Sequence, residues 1–256
     1  MSTRFAPLLA FALLALVHGS AYAAPADAEA DRLVEKSEQQ TRGTSFEGKL
    51  SMSVVKNQDE RKLDFMIWSI GRDEATIKIL GPARDRGTAN LRIKLNLWQY
   101  LPNLDRTIKI PPSMMLQSWM GSDFTNDDLV KTSSLSRDYT HRVLSKEKLQ
   151  AQDAIKIECL PKPTAPVAWG KVILWVTPGD AVPIRQEFYT EKGRLVKVME
   201  GTDIRTFGTH KIPATLTMHT LSRPSDSTTL HYESATYDKP VSPNTFTQEF
   251  MRKEAR

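Results

Sequence analysis

The residues of this 256-residue chain that could do acid–base, nucleophilic or metal chemistry are scattered, not gathered into a motif. Past residue 23 the histidines are His141, His210, His219 and His231. His219 and His231 fall in late strands and become neighbours if those strands form a hairpin. Two imidazoles without a third ligand are less than a zinc site needs, and histidines on a surface strand are the simpler reading. Asp123, Asp127 and Asp128 lack the alternating ligands and the turn glycine of a calcium loop; beside Thr125 and Asn126 they suit helix capping and negative charge at a helix N-terminus. Ser118-Trp119-Met120-Gly121-Ser122 contains no nucleophile elbow, and spacing alone assembles no Ser/His/Asp set. Gly81-Pro82 with Gly87 marks loops, not a phosphate cradle. Cys159, the one cysteine, sits on the apolar side of the alternating run Ala154 to Cys159, so it reads as a buried, inert thiol. No catalytic residue, metal or cofactor is expected.

What remains is apolar chemistry, concentrated between Leu97 and Leu129. The stretch begins as a strand, turns at Pro102-Asn103, runs as a second strand through Arg106–Ile110 and stops at Pro111-Pro112. A segment rich in Met114, Met115, Leu116, Trp119 and Met120 follows. Read as a helix, it places Met115 with Trp119, Leu116 with Met120 and Met120 with Phe124, each four apart, on one face. Unbranched thioethers re-pack around variable partners, so this face suits a lid over a greasy groove; it suits ordinary core equally.

The elements that must position such a lid begin after a leader. Arg4, the apolar run Ala6 to Val17 and the small-x-small site Ala21-Tyr22-Ala23 predict a secretory signal peptide over residues 1–23, cut after Ala23. The run is short for a membrane span, and no Cys at the cleavage site suggests a lipid anchor. Residues 24–256 are expected to form one domain, free outside the cytoplasm. The formal charge is +5, of which Arg4 supplies one. That fits weak attraction to anionic head groups, but no basic stripe interleaved with stacking aromatics marks a nucleic-acid partner. Arg84, Arg86, Arg92 and Lys94 read as a solvated basic face.

Period-two patterning dominates the rest. Phe46, Leu50, Met52 and Val54 alternate with polar residues. So do Leu63, Phe65 and Ile67; Ala75, Ile77 and Ile79; and Leu91, Ile93 and Leu95. Further strands are read at Val172–Val176, Ile184–Tyr189, Leu195–Glu200 (after a Glu191–Arg194 hairpin turn), Ala214–Leu221 and Thr228–Tyr237. About eleven strands with one wet and one dry face indicate an antiparallel sheet, not a parallel α/β one. Helices are few: Ala26 to Arg42, amphipathic through Ala30, Leu33, Val34 and Ser37 and closed by Gly43; the Met/Trp segment; and a short turn capped by Thr125. So few helices barely cover so large a dry face, which predicts a sheet curled toward itself with helices plugging the opening.

Leu97-Trp98-x-Tyr100-x-Pro102 resembles the hairpin of the periplasmic lipoprotein carrier (LolA-like) proteins. Trp119 to Leu129 (WMGSDFTNDDL) resembles the signature of their branch of outer-membrane lipoprotein-sorting proteins. Pro183–Tyr189 with Gly193-Arg194-Leu195, Lys211–Ala214 with Met218, and Asn244–Thr247 are similar to that branch too. The resemblance implies an unclosed antiparallel half-barrel with short helices over a concave apolar face, and no catalytic residues. It implies a lining of Phe46, Leu50, Met52, Leu63, Phe65, Ile67, Ile77, Ile79, Leu91, Ile93 and Leu95, with Trp98, Tyr100, Met114, Met115, Trp119 and Met120 near the mouth. The implied work is periplasmic: acyl chains of a lipoprotein or lipid are taken from an inner-membrane transporter and moved to an outer-membrane acceptor, with transient contact at the membrane surface. A non-catalytic adaptor docked on an inner-membrane transporter is the alternative.

Overall fold

The computed structural model describes residues 27–115, 117–130, 134–149, 151–163, 165 and 167–253; the expected signal peptide and Leu116 lie outside them. The first helix, α1 (Ala28–Arg42), opens where Asp27 accepts a hydrogen bond from the Ala30 amide and closes at Gly43, whose φ of 61° suits a residue without Cβ. Its buried residues are Ala30, Leu33, Val34 and Ser37, the stripe its periodicity predicts.

Among the described residues thirteen strands make one antiparallel sheet. The first six are β1 (Ser45–Lys56), β2 (Asp59–Ile70), β3 (Glu74–Gly81), β4 (Ala89–Ile93), β5 (Asn96–Leu101) and β6 (Arg106–Lys109). The second run is β7 (Tyr139–Leu149), β8 (Gln152–Pro161), β9 (Lys171–Val176), β10 (Pro183–Tyr189), β11 (Leu195–Phe207), β12 (His210–Thr220) and β13 (Ser227–Tyr237). Each run is a meander, and β1 pairs with β13 to join them, giving the order β6-β5-β4-β3-β2-β1-β13-β12-β11-β10-β9-β8-β7. The sheet is unclosed, with β6 and β7 as edges, and mainly-β architecture is as expected. β7 escapes the alternation pattern because only Tyr139 and His141 are buried along it, while Ser145–Lys148 is polar or charged.

Residues directly opposite across a ladder share a face. The chain Leu50↔Phe65↔Ile79, then Gly48↔Ile67↔Ile77↔Asn90↔Gln99, traces one face from β1 to β5. From β1 the same face continues through Leu50↔Tyr232, Leu216↔Gly201 and Leu174↔Ile157. This inner face carries α1 at the β7–β9 end, where Leu33 and Val34 pack on Ile157, Cys159, Val172 and Leu174. The outer face over β3–β5 carries the C-terminal segment, in which a 3₁₀ turn (Pro243–Phe246) precedes a short helix (Gln248–Arg252). Phe246 and Met251 pack there on Ala89, Leu91 and Tyr100. Lys78, 3% exposed, donates from Nζ to the carbonyls of Phe250 (2.8 Å) and Lys253 (2.9 Å), capping that helix's end. No helix among the described residues is long and apolar enough to cross a membrane.

Candidate functional site

The Met/Trp segment is not a helix. Pro112–Met114 is a 3₁₀ turn and Trp119–Gly121 a separate tight turn. Between residues 117 and 126 the chain doubles back on itself, with Asn126 N–H bonding Gln117 O (3.0 Å), a Ser118↔Thr125 bridge, and Trp119 N–H bonding Phe124 O (2.8 Å). The tip is a turn in which Met120 (φ 50°) and Gly121 (φ 77°) are both left-handed and the Ser122 amide reaches Trp119 O. Consecutive positive φ values are the geometry of a type I′ turn and forbid the i,i+4 face that the helical spacing predicts. The result is a strap, and the lid reading passes to it.

The strap crosses the inner face. Trp119 is 3% exposed, edge-on to Phe65 (5.9 Å between centroids), and its indole N–H donates to Asn90 Oδ1 at 3.0 Å. Arg61 donates to Met120 O (3.1 Å) from β2. At the far side the Asp123 carboxylate accepts from Thr220 and Thr228 hydroxyls, both at 2.8 Å, with Arg223 at 3.5 Å, while Lys197 donates to Asp123 O at 2.6 Å. Asp123 is therefore an anchor to β11–β13 and not the helix cap expected of it; Asp128 does cap, its amide bonding Thr125 Oγ1 and its carboxylate accepting the Thr125 amide. The helix that follows is Asn126–Val130.

The other cover, α1, is pinned along its length. Asp27 Oδ2 accepts the Val143 amide (2.8 Å), and Asp31 Oδ1 lies 2.6 Å from the ring of His141. Lys36 donates to Gly179 O (2.7 Å), and Gln40 O lies 2.9 Å from His210 Nδ1. Glu38 Oε2 gathers Arg72 Nη2 (2.8 Å), Ser134 Oγ (3.0 Å) and Ser136 Oγ (2.6 Å). Against this helix lies a cavity of about 160 Å³ lined by Met199, Gly201, Ile212, Leu216 and Tyr232 with Thr41 of α1. Burial pushes the Tyr232 phenol up to about 12, so it is a neutral wall.

Phe46, Leu50, Met52, Leu63, Phe65, Ile67, Ile77 and Ile79 sit together on the inner face with Trp119 and Met120. Met114 and Met115 pack beside them on Leu97 and Ile110. Five predicted residues do not join them. Leu91 and Ile93 pair with Thr76 and Glu74, and Trp98 and Tyr100 pair with Leu91 and Ala89, so all four lie on the outer face under or beside the C-terminal segment. Leu95 sits in the β4–β5 turn beside Lys94 (φ 53°) and is 74% exposed. The period-two reading fails here because both faces of β3 and β4 are covered: Thr76 is 0% and Arg92 5% exposed. Arg92 thus belongs to the inner face and not to a solvated basic patch. Asn90, Met199, Leu216 and Tyr232 are inner-face residues that pattern reasoning missed; the alternation in Thr228–Tyr237 carried the signal for Tyr232.

Chemistry-bearing side chains do not converge. His231 bonds Thr215 and is not paired with His219, which faces Val198. Among the described residues no group of three or more His, Cys, Asp or Glu could hold a metal. Cys159 is 0% exposed, and burial raises its pKa.

A family model described only as an uncharacterized protein matches residues 71–253. Solved structures match the fold across most of the chain. A DUF1329 family protein from Desulfovibrio piger superposes with a TM-score of 0.78 at 20% identity, covering 86% of this chain and 97% of that one. A domain described as an outer membrane lipoprotein-sorting protein, from Vibrio parahaemolyticus, gives 0.76 at 20% identity over 88% and 99%. A LolA superfamily protein from Nitrosomonas europaea gives 0.71 at 22% identity over 86% and 98%. The chain belongs to the family whose model spans residues 71–253, and it shares the fold of the LolA-like structures. At these identities the likeness to solved LolA-like structures is one of fold, and the inner face with its two covers is what this family member has to work with. No curated protein matches the chain.

Proposed function

We propose that this LolA-like protein is a periplasmic carrier, released by cleavage after Ala23, that shelters acyl chains of a lipoprotein or lipid against its inner face and moves them between the inner and outer membranes without catalysis. The observation that supports it is an apolar floor of Leu50, Phe65, Ile67 and Ile77 lying under a strap held chiefly by polar contacts. Each methylene that enters such a floor contributes about 0.8 kcal/mol, and displacement of the strap offsets part of that gain, which lets cargo leave toward an acceptor. An inner-membrane transporter would load it and an outer-membrane acceptor unload it.

The cavity's size favours a second reading. About 160 Å³ is near the volume that accepts a benzene-sized guest and below the 300–1,000 Å³ usual for ligand sites. A chain that never opens further would be a transporter adaptor. Native mass spectrometry with solvent extraction, on protein purified gently from the periplasm, separates the two. Lipid or acylated peptide at one per chain is the carrier's result; a clean apo mass, with no uptake from inner-membrane lipid extract, is the adaptor's.

A further inference from the structure

Beside the apolar floor the inner face turns polar, and most of what it offers is hydrogen-bond donors. Asn90 is 2% exposed; its Oδ1 is taken by the Trp119 indole, which fixes the amide's orientation and leaves the buried Nδ2 donor without a partner. Two residues on, about 7 Å along the same strand face, Arg92 donates from Nη1 to the carbonyl of Arg72. The buried Nη1 of Arg72 and the buried Nε of Arg42, from the last turn of α1, also lack partners. The carboxylates that meet this group are Glu38, whose Oε2 already accepts Arg72 and two serine hydroxyls, and Asp73, which attracts Arg92. Burial lowers the pKa of Arg42, and repulsion from Arg72 adds to it; burial, then repulsion from Arg42, lowers Arg92 to about 10. Buried donors without acceptors are rare and costly in native proteins, and an oxyanion supplies what these lack.

We propose that Asn90, Arg42 and Arg72 receive the anionic oxygens of a phosphate-bearing amphiphile whose acyl chain lies on the adjoining apolar floor. This rests on the carrier reading and narrows its cargo to lipids with an anionic head. The purified protein is titrated below the micellar range with lysophosphatidylglycerol, with a monoacylglycerol of the same chain, and with inorganic phosphate. The expected result is anionic lipid bound at least tenfold more tightly than neutral lipid. Arg42→Gln and Asn90→Asp, the second keeping the acceptor for Trp119, should erase that preference while leaving neutral-lipid binding intact, which also reports that they fold. Equal binding of the two lipids, unchanged in Arg42→Gln, overturns the head-group site and leaves the carrier reading standing. Phosphate binding without lipid binding makes the site one for the free anion and overturns both, as does binding of nothing.

Discussion

Asp123 and Thr228 bond each other twice. The Thr228 hydroxyl donates to Asp123 Oδ2 at 2.8 Å and accepts the Asp123 amide at 2.9 Å. One end of the strap is thereby fastened to β13, the strand that seams the two halves of the sheet, by a carboxylate with no solvent exposure.

Removing that carboxylate strands two buried hydroxyls and takes an acidic partner from Arg223. Asp123→Ala should cost about 3–5 kcal/mol in urea denaturation. Amide exchange should accelerate most in residues 117–130. Exchange accelerated evenly across the sheet would mean that the strap is not a separable cover.

Trp119→Phe keeps the edge-on contact with Phe65 but deletes the donor to Asn90 Oδ1. A second buried polar atom then goes unpaired, at a cost of about 1–3 kcal/mol. Replacing Asn90 in the same background, by Ala, should recover little further loss in a double-mutant cycle; additive losses would show that the two side chains act separately.

The two faces of the sheet predict opposite phenotypes. Leu91→Ala on the outer face should lower stability by about 2–5 kcal/mol and leave lipid uptake per folded molecule unchanged. Leu216→Trp fills the inner cavity and should abolish uptake with a smaller stability cost. Uptake lost in the first variant and kept in the second would invert the assignment of faces.

Acid should loosen the α1 end. Asp238 accepts from the Thr44 amide, from His210 and from the Thr44 hydroxyl, and these bonds hold its pKa down at about 2. A depressed carboxylate contributes stability that is fully present above its unfolded value near ~3.9 and is lost as pH falls through the folded value of about 2. Between those limits Asp238→Asn should show a flatter fall of stability with decreasing pH than the parent. Solvent screening keeps the effect modest, since the side chain is 43% exposed.

Some of this was legible from residue order. The buried stripe of α1 and the hairpin whose Gly193 amide returns to Thr190 O follow from local rules that packing does not override. The site was legible only in part. Leu50, Leu63 and Phe65 alternate cleanly because a single face of their strands is dry there. At Thr76–Ile79, where four consecutive residues are buried, alternation carries no information about which face a residue joins. The strap was opaque for another reason: Met115, Trp119 and Met120 satisfy a helical spacing, and left-handed backbone at Met120 is something only a tertiary frame imposes. Arg42 and Arg72 come from distant segments and meet only once α1 is laid across the sheet.

The pairing of β1 with β13 has a bearing on how the molecule is made. Every other neighbouring pair in the sheet is consecutive in sequence, so each half can zip locally, but the seam has to wait for the last strand to be synthesised. Until then β1 and β12 both present open edges, and such edges recruit other chains. A nascent chain therefore passes through a state with four exposed edges in place of the final two. A holdase on those edges until the last strand has emerged is what such a topology favours.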